Sequence, residues 1–439
     1  MQDVIVIGAG FAGLAAATAL EVQGRSVLVL EARDRIGGKV TSGPDELGRR
    51  VDLGGQWVCD DMPNVLELID RHGLTLVAPQ RRGRRIAHPV GDFDAIHGAF
   101  DEAIDEAHDQ TSDESFGDVA RRLPADVAVG VRASAQSTMC VDPDRYPAWH
   151  IADMFARAPM NVEELQYYVA ETIHELALRM AAGLAEPVRT GVRVTAVERR
   201  GDRVIVTTST AAALVGSGGD GGAGVDGAVE TGGGAETDGG ADDIVFEARH
   251  VVLAVPPQVV PDIAHTPALP ADVVRSCRAF VAGQVRKVLV RYDRPFWNDL
   301  GLEGTVQFTD PTTLYLSATT NDEGAGLVAF VGGALSEHVR TLEASERKAT
   351  LLALFADALG PEALQPISWV ERDWVPDDLG AGGYQSVLVD PTARDAHDVL
   401  RRGLARVLFA STEISPSFPG YIEGAICAGR AAASAIASS

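Results

Sequence analysis

The sequence predicts an α/β protein that begins with a Rossmann-like domain, into which a second domain of mixed β-sheet and helices is inserted. Residues 4–7 are a run of Val and Ile, and the turn that follows, GAGFAG, has glycine at positions 8, 10 and 13. An Ala/Leu-rich segment comes next, and a second apolar strand, Ser26 to Leu30, ends at Glu31. A strand, a glycine-rich turn, a helix and an acidic residue about 20 positions later form the pattern of a dinucleotide-binding fold.

Each residue of this pattern has a physical role. Gly8 permits the tight turn, and Gly10 lets the backbone approach a pyrophosphate because it has no Cβ. Gly13 lets the helix pack close to the strand, so that the phosphates would sit at the positive end of the helix. Glu31 is placed to accept hydrogen bonds from the hydroxyls of an adenosine ribose.

Length and charge narrow the class of protein. A chain of 439 residues, 46% of them hydrophobic, is long enough to form two cores. The net charge of -24 argues against nucleic acid or an anionic membrane as a partner. The basic cluster at residues 81–85, RRGRR, is interpreted as a solvated loop after a helix that ends near His72.

The cysteines and histidines give no sign of a metal site. The motif HExxH is not completed after His174-Glu175, because Leu178 stands where the second histidine would be. The longest apolar runs are too short to span a membrane, and the first strand leaves no room for a signal peptide. We therefore expect a protein of the reducing cytoplasm, without a zinc site or redox disulfide. The four cysteines are far apart in the chain: Cys59, Cys140, Cys277 and Cys427.

Two further diglycines follow short extended segments, one in LEARDRIGGK and one in VDLGGQW. With the first motif, these segments resemble the N-terminal text of the flavin-containing monoamine oxidase family. The resemblance implies that Gly37 to Lys39 lie along the pyrophosphate of FAD and that Gly54 to Trp57 run beside the flavin ring. Lys39 stands where the family usually has arginine, so the charge is kept but the bidentate fork is lost.

The resemblance continues in the second half of the chain. It implies that Val192 lies at the adenine end of the cofactor and that Glu413 binds the ribityl or phosphate region. A helix that starts near residues 420–422 would point its N-terminus at the flavin and stabilise the negative charge of the reduced ring. Thr412-Glu413 is predicted to be extended, and Ser411 replaces the family's usual glycine. The complete set of predicted cofactor residues is Gly8, Gly10, Phe11, Ala12, Gly13, Glu31, Ala32, Arg33, Gly37, Gly38, Lys39, Gly54, Gly55, Gln56, Trp57, Val192, Trp374, Thr412, Glu413, Tyr421 and Ile422.

Three residues are predicted to be catalytic. Lys287 lies in an apolar strand, where a lysine is costly unless it is paired, functional or turned to solvent. By resemblance, Lys287 holds a water against the flavin, and Tyr384 and Tyr421 form facing rings through which the amine passes. Family members with covalent flavin have cysteine immediately before the first of these tyrosines. Gly383 stands there in this chain, so FAD is expected to be bound non-covalently.

The middle of the chain matches the family poorly. We predict helices over 91–108 and 161–182, the second capped by Asn161 and Glu164. Tyr167 and Tyr168 are interpreted as core residues. Strands are predicted at residues 192–197, 204–208, 244–246 and 251–255. The glycine-rich, acidic stretch from about 213 to 243 between them is expected to be a disordered loop.

These observations predict an FAD-binding domain of residues 1–78, 176–275 and 378–439 and a substrate domain of residues 79–175 and 276–377. The favoured activity is oxidation of an amine to an imine, with dioxygen reduced to hydrogen peroxide. A desaturase acting on a carbon-carbon bond and a non-catalytic flavin-binding module remain as alternatives. The amine is not specified: a polyamine, an amino acid or a biosynthetic intermediate would each fit, and a homodimer is compatible with the sequence.

Overall fold

The computed structural model describes residues 1–108, 112–210, 244–309, 313–322, 324–375, 379–380 and 382–438. The described strands are β1 (Gln2–Ile7), β2 (Val27–Leu30), β3 (Ser42–Pro44), β4 (Arg50–Asp52), β5 (Leu76–Val77), β6 (Arg84–His88), β7 (Tyr168–Val169), β8 (Val192–Arg200), β9 (Arg203–Thr210), β10 (Ile244–Leu253), β11 (Ala264–Thr266), β12 (Phe280–Ala282), β13 (Val285–Tyr292), β14 (Leu302–Phe308), β15 (Leu314–Ala318), β16 (Ala325–Val331), β17 (Ser368–Trp374), β18 (Ser386–Leu388) and β19 (Val407–Phe409). The described α-helices are α1 (Phe11–Val22), α2 (Pro63–Arg71), α3 (Phe93–His108), α4 (Phe116–Ala120), α5 (Ala125–Met139), α6 (Ala148–Arg157), α7 (Ile173–Ala182), α8 (Ala271–Arg278), α9 (Gly333–Arg340), α10 (Ala344–Leu359), α11 (Ala396–Arg402) and α12 (Ile422–Ala437).

A seven-stranded sheet carries the Rossmann-like part of the molecule. Its main path runs β11-β8-β9-β10-β1-β2, and β19 pairs with β10 as well. The strands β1, β2 and β19 run parallel to their neighbours, whereas β8, β9 and β10 pair antiparallel. Because parallel neighbours share one carboxyl edge, the turn after β1 and the end of β2 meet at the same place.

A six-stranded sheet forms a second layer, in the order β17-β13-β16-β15-β14-β6. Its core packs strands against α9 and α10 around fully buried residues such as Trp297 and Phe355. The strand that carries Lys287, β13, lies inside this sheet between β16 and β17. The predicted α/β class is therefore confirmed, while the domain limits given above stay a prediction.

Helices α1 and α12 pack against each other at very short range. Both are rich in alanine and glycine, and a Cβ placed on Gly429 would collide with the carbonyl oxygen of Ala12 and lie 2.9 Å from the nitrogen of Ala16. Similarly, a Cβ on Gly13 would collide with the carbonyl oxygen of Gly8. Small residues thus bring the two helices and β1 together.

The structure corrects the helix predicted over 161–182. Residues 161–167 form no helix: the backbone N–H groups of Asn161 and Val162 donate to the Asp61 carboxylate. The helix starts only at Ile173, and its N-cap is Thr172, whose hydroxyl accepts from the Glu175 N–H at 3.3 Å. Asn161 therefore caps no helix. The predicted helix over 91–108 is confirmed as α3, which starts two residues later than predicted.

Two strand predictions need adjustment. The segments 244–246 and 251–255 were predicted separately, but β10 runs without interruption from Ile244 to Leu253 because its first half pairs with β9 and its second half with β1. Tyr167 and Tyr168 are both half-buried. Tyr167 packs against a buried core cluster that includes Val58, as expected, whereas Tyr168 packs edge-on against Trp57. The glycine-rich stretch at 213–243 lies outside the described residues.

Within the described part of the chain, no helix has the length and apolar character needed to cross a membrane.

Candidate active site

A cavity of about 1030 Å³ lies at the edge of the seven-stranded sheet and extends to the six-stranded sheet. Nearly every residue predicted to bind cofactor or substrate lines it. Gly13 is the exception, because it acts in the packing of α1 on β1 and not in the cavity wall. The predicted residues that line the cavity are Gly8, Gly10, Phe11, Ala12, Glu31, Ala32, Arg33, Gly37, Gly38, Lys39, Gly54, Gly55, Gln56, Trp57, Val192, Lys287, Trp374, Tyr384, Thr412, Glu413, Tyr421 and Ile422.

The glycine-rich turn shapes one wall of the cavity. Gly8 has φ of +105°, a conformation that favours glycine, and a Cβ there would meet the carbonyl oxygen of Ala254. Gly10, the N-cap of α1, lies against Gly38 with little between their backbones. No side chain caps α1, so its first N–H groups remain available to a phosphate at the cavity wall.

Glu31 closes the cavity at the end of β2. Its two carboxylate oxygens accept the N–H of Ala9 at 2.8 Å and the N–H of Arg33 at 2.9 Å. Each oxygen keeps a second lone pair, so the carboxylate can also accept from ribose hydroxyls. Val192, at the start of β8, lies beside it, because its N–H donates to the Glu31 carbonyl at 2.9 Å.

The diglycine segment that ends at Lys39 is joined to the C-terminal part of the cavity by an ion pair. Lys39 Nζ lies 3.0 Å from Glu413 Oε1, and the Ser386 N–H donates to the same oxygen at 3.0 Å. Burial alone would raise the pKa of Glu413, but the Lys39 ammonium and these hydrogen bonds leave it lowered. Glu413 lies in a 3-10 turn (Thr412–Ile414), which corrects the predicted extended piece: the turn lets Thr412 Oγ1 donate to the Tyr421 carbonyl at 2.8 Å.

Lys287 is buried, with 3% of its surface exposed, so a solvent-facing position is excluded. Its ammonium donates to the carbonyl oxygens of Asp52 and Gly54, both at 2.7 Å, and to Gln56 Oε1 at 2.5 Å. Burial lowers the pKa of Lys287, and the nearby Asp52 carboxylate opposes this effect. An ammonium group has three hydrogens, so a water bound by Lys287 would have to displace one of these acceptors.

Asp52 is a member of the site that the sequence did not reveal. It is buried, and its carboxylate accepts the N–H groups of Ile173 at 2.9 Å and His174 at 3.3 Å, at the start of α7. Burial raises the pKa of Asp52, while Lys287 and these two N–H groups lower it. Its place beside the second diglycine was visible in the sequence, but its pairing with a lysine more than 200 positions away was not.

Tyr384 and Tyr421 both line the cavity, and each follows a glycine that has no room for a side chain. A Cβ on Gly383 would lie 2.9 Å from Val285, and one on Gly420 would collide with Gln385. Phe330 packs edge-on against Tyr384 at 5.4 Å between ring centroids. Burial and the Glu164 carboxylate raise the pKa of both tyrosines. The structure brings the two rings to one cavity, and their facing arrangement stays a prediction.

The far side of the cavity comes from the region that the sequence left unassigned. Loop residues before β7 and the start of α3 line it, together with β14, β15 and β16. Glu163 forms an ion pair there with Arg85, with Glu163 Oε2 2.8 Å from Nη2, and Arg85 also pairs with Glu303 at 3.3 Å. No motif marks these residues, because they meet only through tertiary folding. The polar and aromatic residues of this side include Arg85, Phe93, His97, Phe100, Glu163, Glu164, Gln307, Tyr315 and Phe330.

The lining residues fit a flavin dinucleotide. The uncapped start of α1 and the close glycines suit a pyrophosphate, and Glu31 retains lone pairs for a ribose. A Cβ on Gly54 would collide with the Lys39 carbonyl and lie 2.9 Å from the Trp374 ring. Only glycine therefore lets the backbone pack this closely against both neighbours. The start of α12 at Tyr421 is likewise uncapped by a side chain. Among the described residues, no group of three or more metal-type ligands is found.

Comparison with known proteins agrees with this geometry. The family model described as flavin containing amine oxidoreductase matches residues 11–130 and 152–437. A putative flavin-containing monoamine oxidase of Mycobacterium tuberculosis is 26% identical, covering 99% of this chain and 96% of that protein. Putrescine oxidase of Kocuria rosea is 27% identical, covering 99% and 95%. The structure of cyclohexylamine oxidase from Brevibacterium oxydans has a TM-score of 0.83 and 23% identity, covers 100% of this chain and 99% of that one, and shows the shared fold.

Proposed function

The chain belongs to the flavin-containing amine oxidoreductase family, and from that premise we propose that it oxidises an amine to an imine while reducing dioxygen to hydrogen peroxide. It is an oxidoreductase, and its cofactor is FAD. FAD supplies a two-electron acceptor for the hydride on the carbon next to the amine nitrogen and passes the electrons to dioxygen. The observation that supports this proposal most is the cavity in which buried Lys287 and two tyrosines occur together beside the dinucleotide cradle.

The cofactor would be held by backbone more than by side chains. We propose that the start of α1 and the glycines of the first turn bind the pyrophosphate, and that Glu31 binds the ribose. Glu413 and Lys39, already paired with each other, fix the middle of the cradle. The start of α12 would then provide N–H groups to the flavin end, where they favour negative charge.

The protein side chains orient the amine and control charge around it. Tyr384 and Tyr421 present electron-rich faces, which attract a cationic group and exclude bulky alternatives. Lys287 brings a cationic group to the wall of the same cavity, where it would stabilise negative charge developing on dioxygen. Because Gln56, Gly54 and Asp52 hold this ammonium from three sides, its position is fixed before any substrate binds.

A desaturase is the second candidate, and the charges of the cavity weigh against it. A hydrocarbon substrate would gain little from the tyrosine rings, and it would place apolar surface against the Glu164 carboxylate in the cavity wall. A non-catalytic flavin module would have no use for a buried lysine at the cavity wall. Both observations favour an amine.

The decisive experiment is a substrate panel. We expect hydrogen peroxide to form aerobically with at least one primary or secondary amine, and the same amine to bleach the flavin absorbance anaerobically. Bleaching without peroxide would contradict dioxygen as the acceptor. If a compound with a saturated carbon-carbon bond bleaches the flavin and no amine does, the desaturase is established. A yellow protein that no compound bleaches would leave only the binding module.

FAD is expected to be non-covalent. None of the four cysteines, all of which lie in the described part of the chain, lines the cavity. Acid precipitation should therefore leave the yellow colour in the supernatant. Colour in the pellet would contradict this and would direct attention to Cys59, which lies close to Tyr421, or to Cys427.

We further propose a cytoplasmic location and leave a homodimer to be tested by light scattering.

A further inference from the structure

Glu164 has the most unusual environment of any acid in the cavity. It belongs to the loop before β7, and more than a third of its surface is accessible. Glu164 lines the cavity together with Tyr315, Tyr384 and Tyr421. Its carboxylate lies beside the hydroxyl of Tyr421.

The charge of Glu164 has no cationic partner among the described residues. The neighbouring carboxylate, Glu163, is paired with Arg85 at 2.8 Å, so this guanidinium is already engaged, and the negative charge of Glu163 raises the pKa of Glu164. Both lysines that line the cavity are also engaged, Lys39 with Glu413 and Lys287 with three oxygens. A carboxylate in the wall of this cavity that has no cationic partner attracts a cationic ligand.

We propose that Glu164 is the anionic recognition group of the active site, which binds the substrate as its ammonium ion beside Tyr421 and then accepts the proton from it. This inference rests on the proposed amine oxidation. It assigns a catalytic role to a residue that no motif identified. It also defines the substrate class as amines that arrive protonated, with the nitrogen directed at Tyr421.

The proton transfer balances without any further reactant. An N–H bond of the ammonium breaks and an O–H bond forms on Glu164, so that R–NH3⁺ and carboxylate become R–NH2 and carboxylic acid. The nitrogen keeps the electron pair, which it needs for oxidation at the adjacent carbon. Burial raises the pKa of Glu164, the Tyr421 hydroxyl lowers it, and the charge of Glu163 raises it. Once the bound substrate displaces water from around the two groups, a neutral pair costs less desolvation than an ion pair.

The other residues of the far wall indicate which kind of group carries the amine nitrogen of the substrate. Phe93 and Phe100, both 5% exposed, line the cavity with Tyr315 and Phe330. Arg85 cannot serve as a free carboxylate anchor because two glutamates already hold it. An amine with an apolar or aromatic body therefore fits this wall better than an amino acid.

The test uses a matched pair of ligands on the holoenzyme. The compound 2-phenylpropan-2-amine is protonated at pH 7.5 and has no hydrogen on the carbon next to nitrogen, so it binds without being oxidised. The alcohol 2-phenylpropan-2-ol has the same shape and no charge. Dissociation constants are measured from the change in flavin absorbance. Glu164→Gln should weaken amine binding by roughly 10- to 100-fold and change alcohol binding by less than about 3-fold.

Glu163→Gln is the matched control, since it removes the same charge from the adjacent residue. We expect it to leave the ratio of amine to alcohol affinity within about 3-fold of wild type, because Arg85 already neutralises that carboxylate. An unchanged ratio in Glu164→Gln, or an equal loss in both variants, would overturn the proposal.

A second measurement needs only the wild-type protein, in case the variants do not fold. Calorimetry of amine binding in buffers with different ionisation enthalpies counts the protons released. If Glu164 retains the proton of the ammonium, no net proton is released at pH 7.5. Release of about one proton per amine bound would overturn the proposal. If the amine binds in this way but no amine is oxidised, the proposed function fails and the recognition role of Glu164 stands, so the two failures are distinguishable.

Discussion

Lys287 is a single residue on which three parts of the chain depend. Its ammonium joins the carbonyl oxygens of Asp52 and Gly54 to the Gln56 side chain, and the strand that carries it belongs to the other sheet. Removal of the ammonium would leave these three oxygen acceptors without the Lys287 donor. The effect of a Lys287 substitution on the reaction must therefore be measured separately from its effect on folding.

Lys287→Met should slow the oxidation of reduced flavin by dioxygen much more than it slows anaerobic reduction by the amine. Loss of one preorganised charge typically costs on the order of 10²-fold in rate. Stopped-flow absorbance measures the two half-reactions separately. Lys348→Met is the control, because Lys348 lies near the surface on α10 and its ion pair with Glu46 is distant from the cavity. Equal slowing of both half-reactions would exclude the proposed role.

Tyr384→Leu and Tyr421→Leu should each lower the rate of flavin reduction while FAD stays bound. The loss of an electron-rich face removes the attraction for the cation and the alignment of the amine. We expect a decrease of about 10-fold or more, measured under anaerobic conditions. Tyr167→Leu is the control, since Tyr167 does not line the cavity. Unchanged reduction in both cavity variants would favour the desaturase.

At the scale of one residue, the sequence revealed those members of the site that stand in local motifs. The glycines, Glu31 and Lys39 occupy fixed positions in short segments, and the strand context alone made Lys287 costly unless paired. Asp52 and Glu164 gave no such signal, because their roles arise from partners that are distant in the sequence. Glu164 was assigned to a helix cap with Asn161, but the backbone N–H groups of residues 161 and 162 donate to the Asp61 carboxylate and no helix starts there.

At the scale of elements, the contact between α1 and α12 fixes the position of one helix N-terminus at the cofactor site relative to the other. The N-terminus of α1 lies at the pyrophosphate wall, and that of α12 follows Tyr421. Gly429 is the point of closest approach, where the α12 backbone lies against that of Ala12 and Ala16.

Gly429→Val should force the two helices apart. Overpacking of a tight contact typically costs about 1–3 kcal/mol, and we expect that loss of unfolding free energy together with weaker retention of FAD. Urea unfolding of the holoenzyme and its flavin content after dialysis measure the two effects. Ala431→Val is the control, because Ala431 lies on the exposed face of the same helix. Full stability and flavin content in Gly429→Val would show that the contact is not critical.

The elements that the sequence predicted well are those with a strong local pattern. The strands β1, β2 and β13 are apolar runs bounded by turns, and α12 begins where a helix was expected. The start of α7 was misplaced by twelve residues, from 161 to 173. Thr172, with Glu175 three residues later, is a local N-cap pattern that the prediction passed over in favour of Asn161 and Glu164. The Asp52 carboxylate that also accepts the first N–H groups comes from a distant strand and has no signature near the helix.

At the scale of the whole molecule, two buried histidines make stability depend on pH. Burial and the nearby Arg157 lower the pKa of His150 to about 3, and burial, Arg157 and His150 lower that of His397 to about 2. Unfolding exposes both rings to water, where the ordinary pKa is near 6.5. The unfolded chain therefore binds more protons below pH 6.5, and the stability present above that pH is lost as the pH falls.

We expect the free energy of unfolding to decrease by about 1.4 kcal/mol per pH unit for each of these histidines between pH 6.5 and 4. His150→Gln should reduce the measured slope by that amount, because glutamine can accept the Leu388 N–H without becoming charged. Urea titrations at several pH values give the slope. His338→Gln, at an exposed position on α9, should leave it unchanged. An identical slope in His150→Gln would mean that this ring is protonated in the folded state.

The strand β10 has a consequence for how the protein is made. It pairs with β1, near the start of the chain, and with β19, more than 150 residues after it. Domains generally fold as units while the ribosome moves from the first codon onward. The nucleotide cradle emerges early, yet its walls at Glu413 and Tyr421 are translated hundreds of codons later. We therefore expect the cofactor cavity to be complete only after these segments have been translated, and the second half of β10 has an unpaired edge until β19 is made.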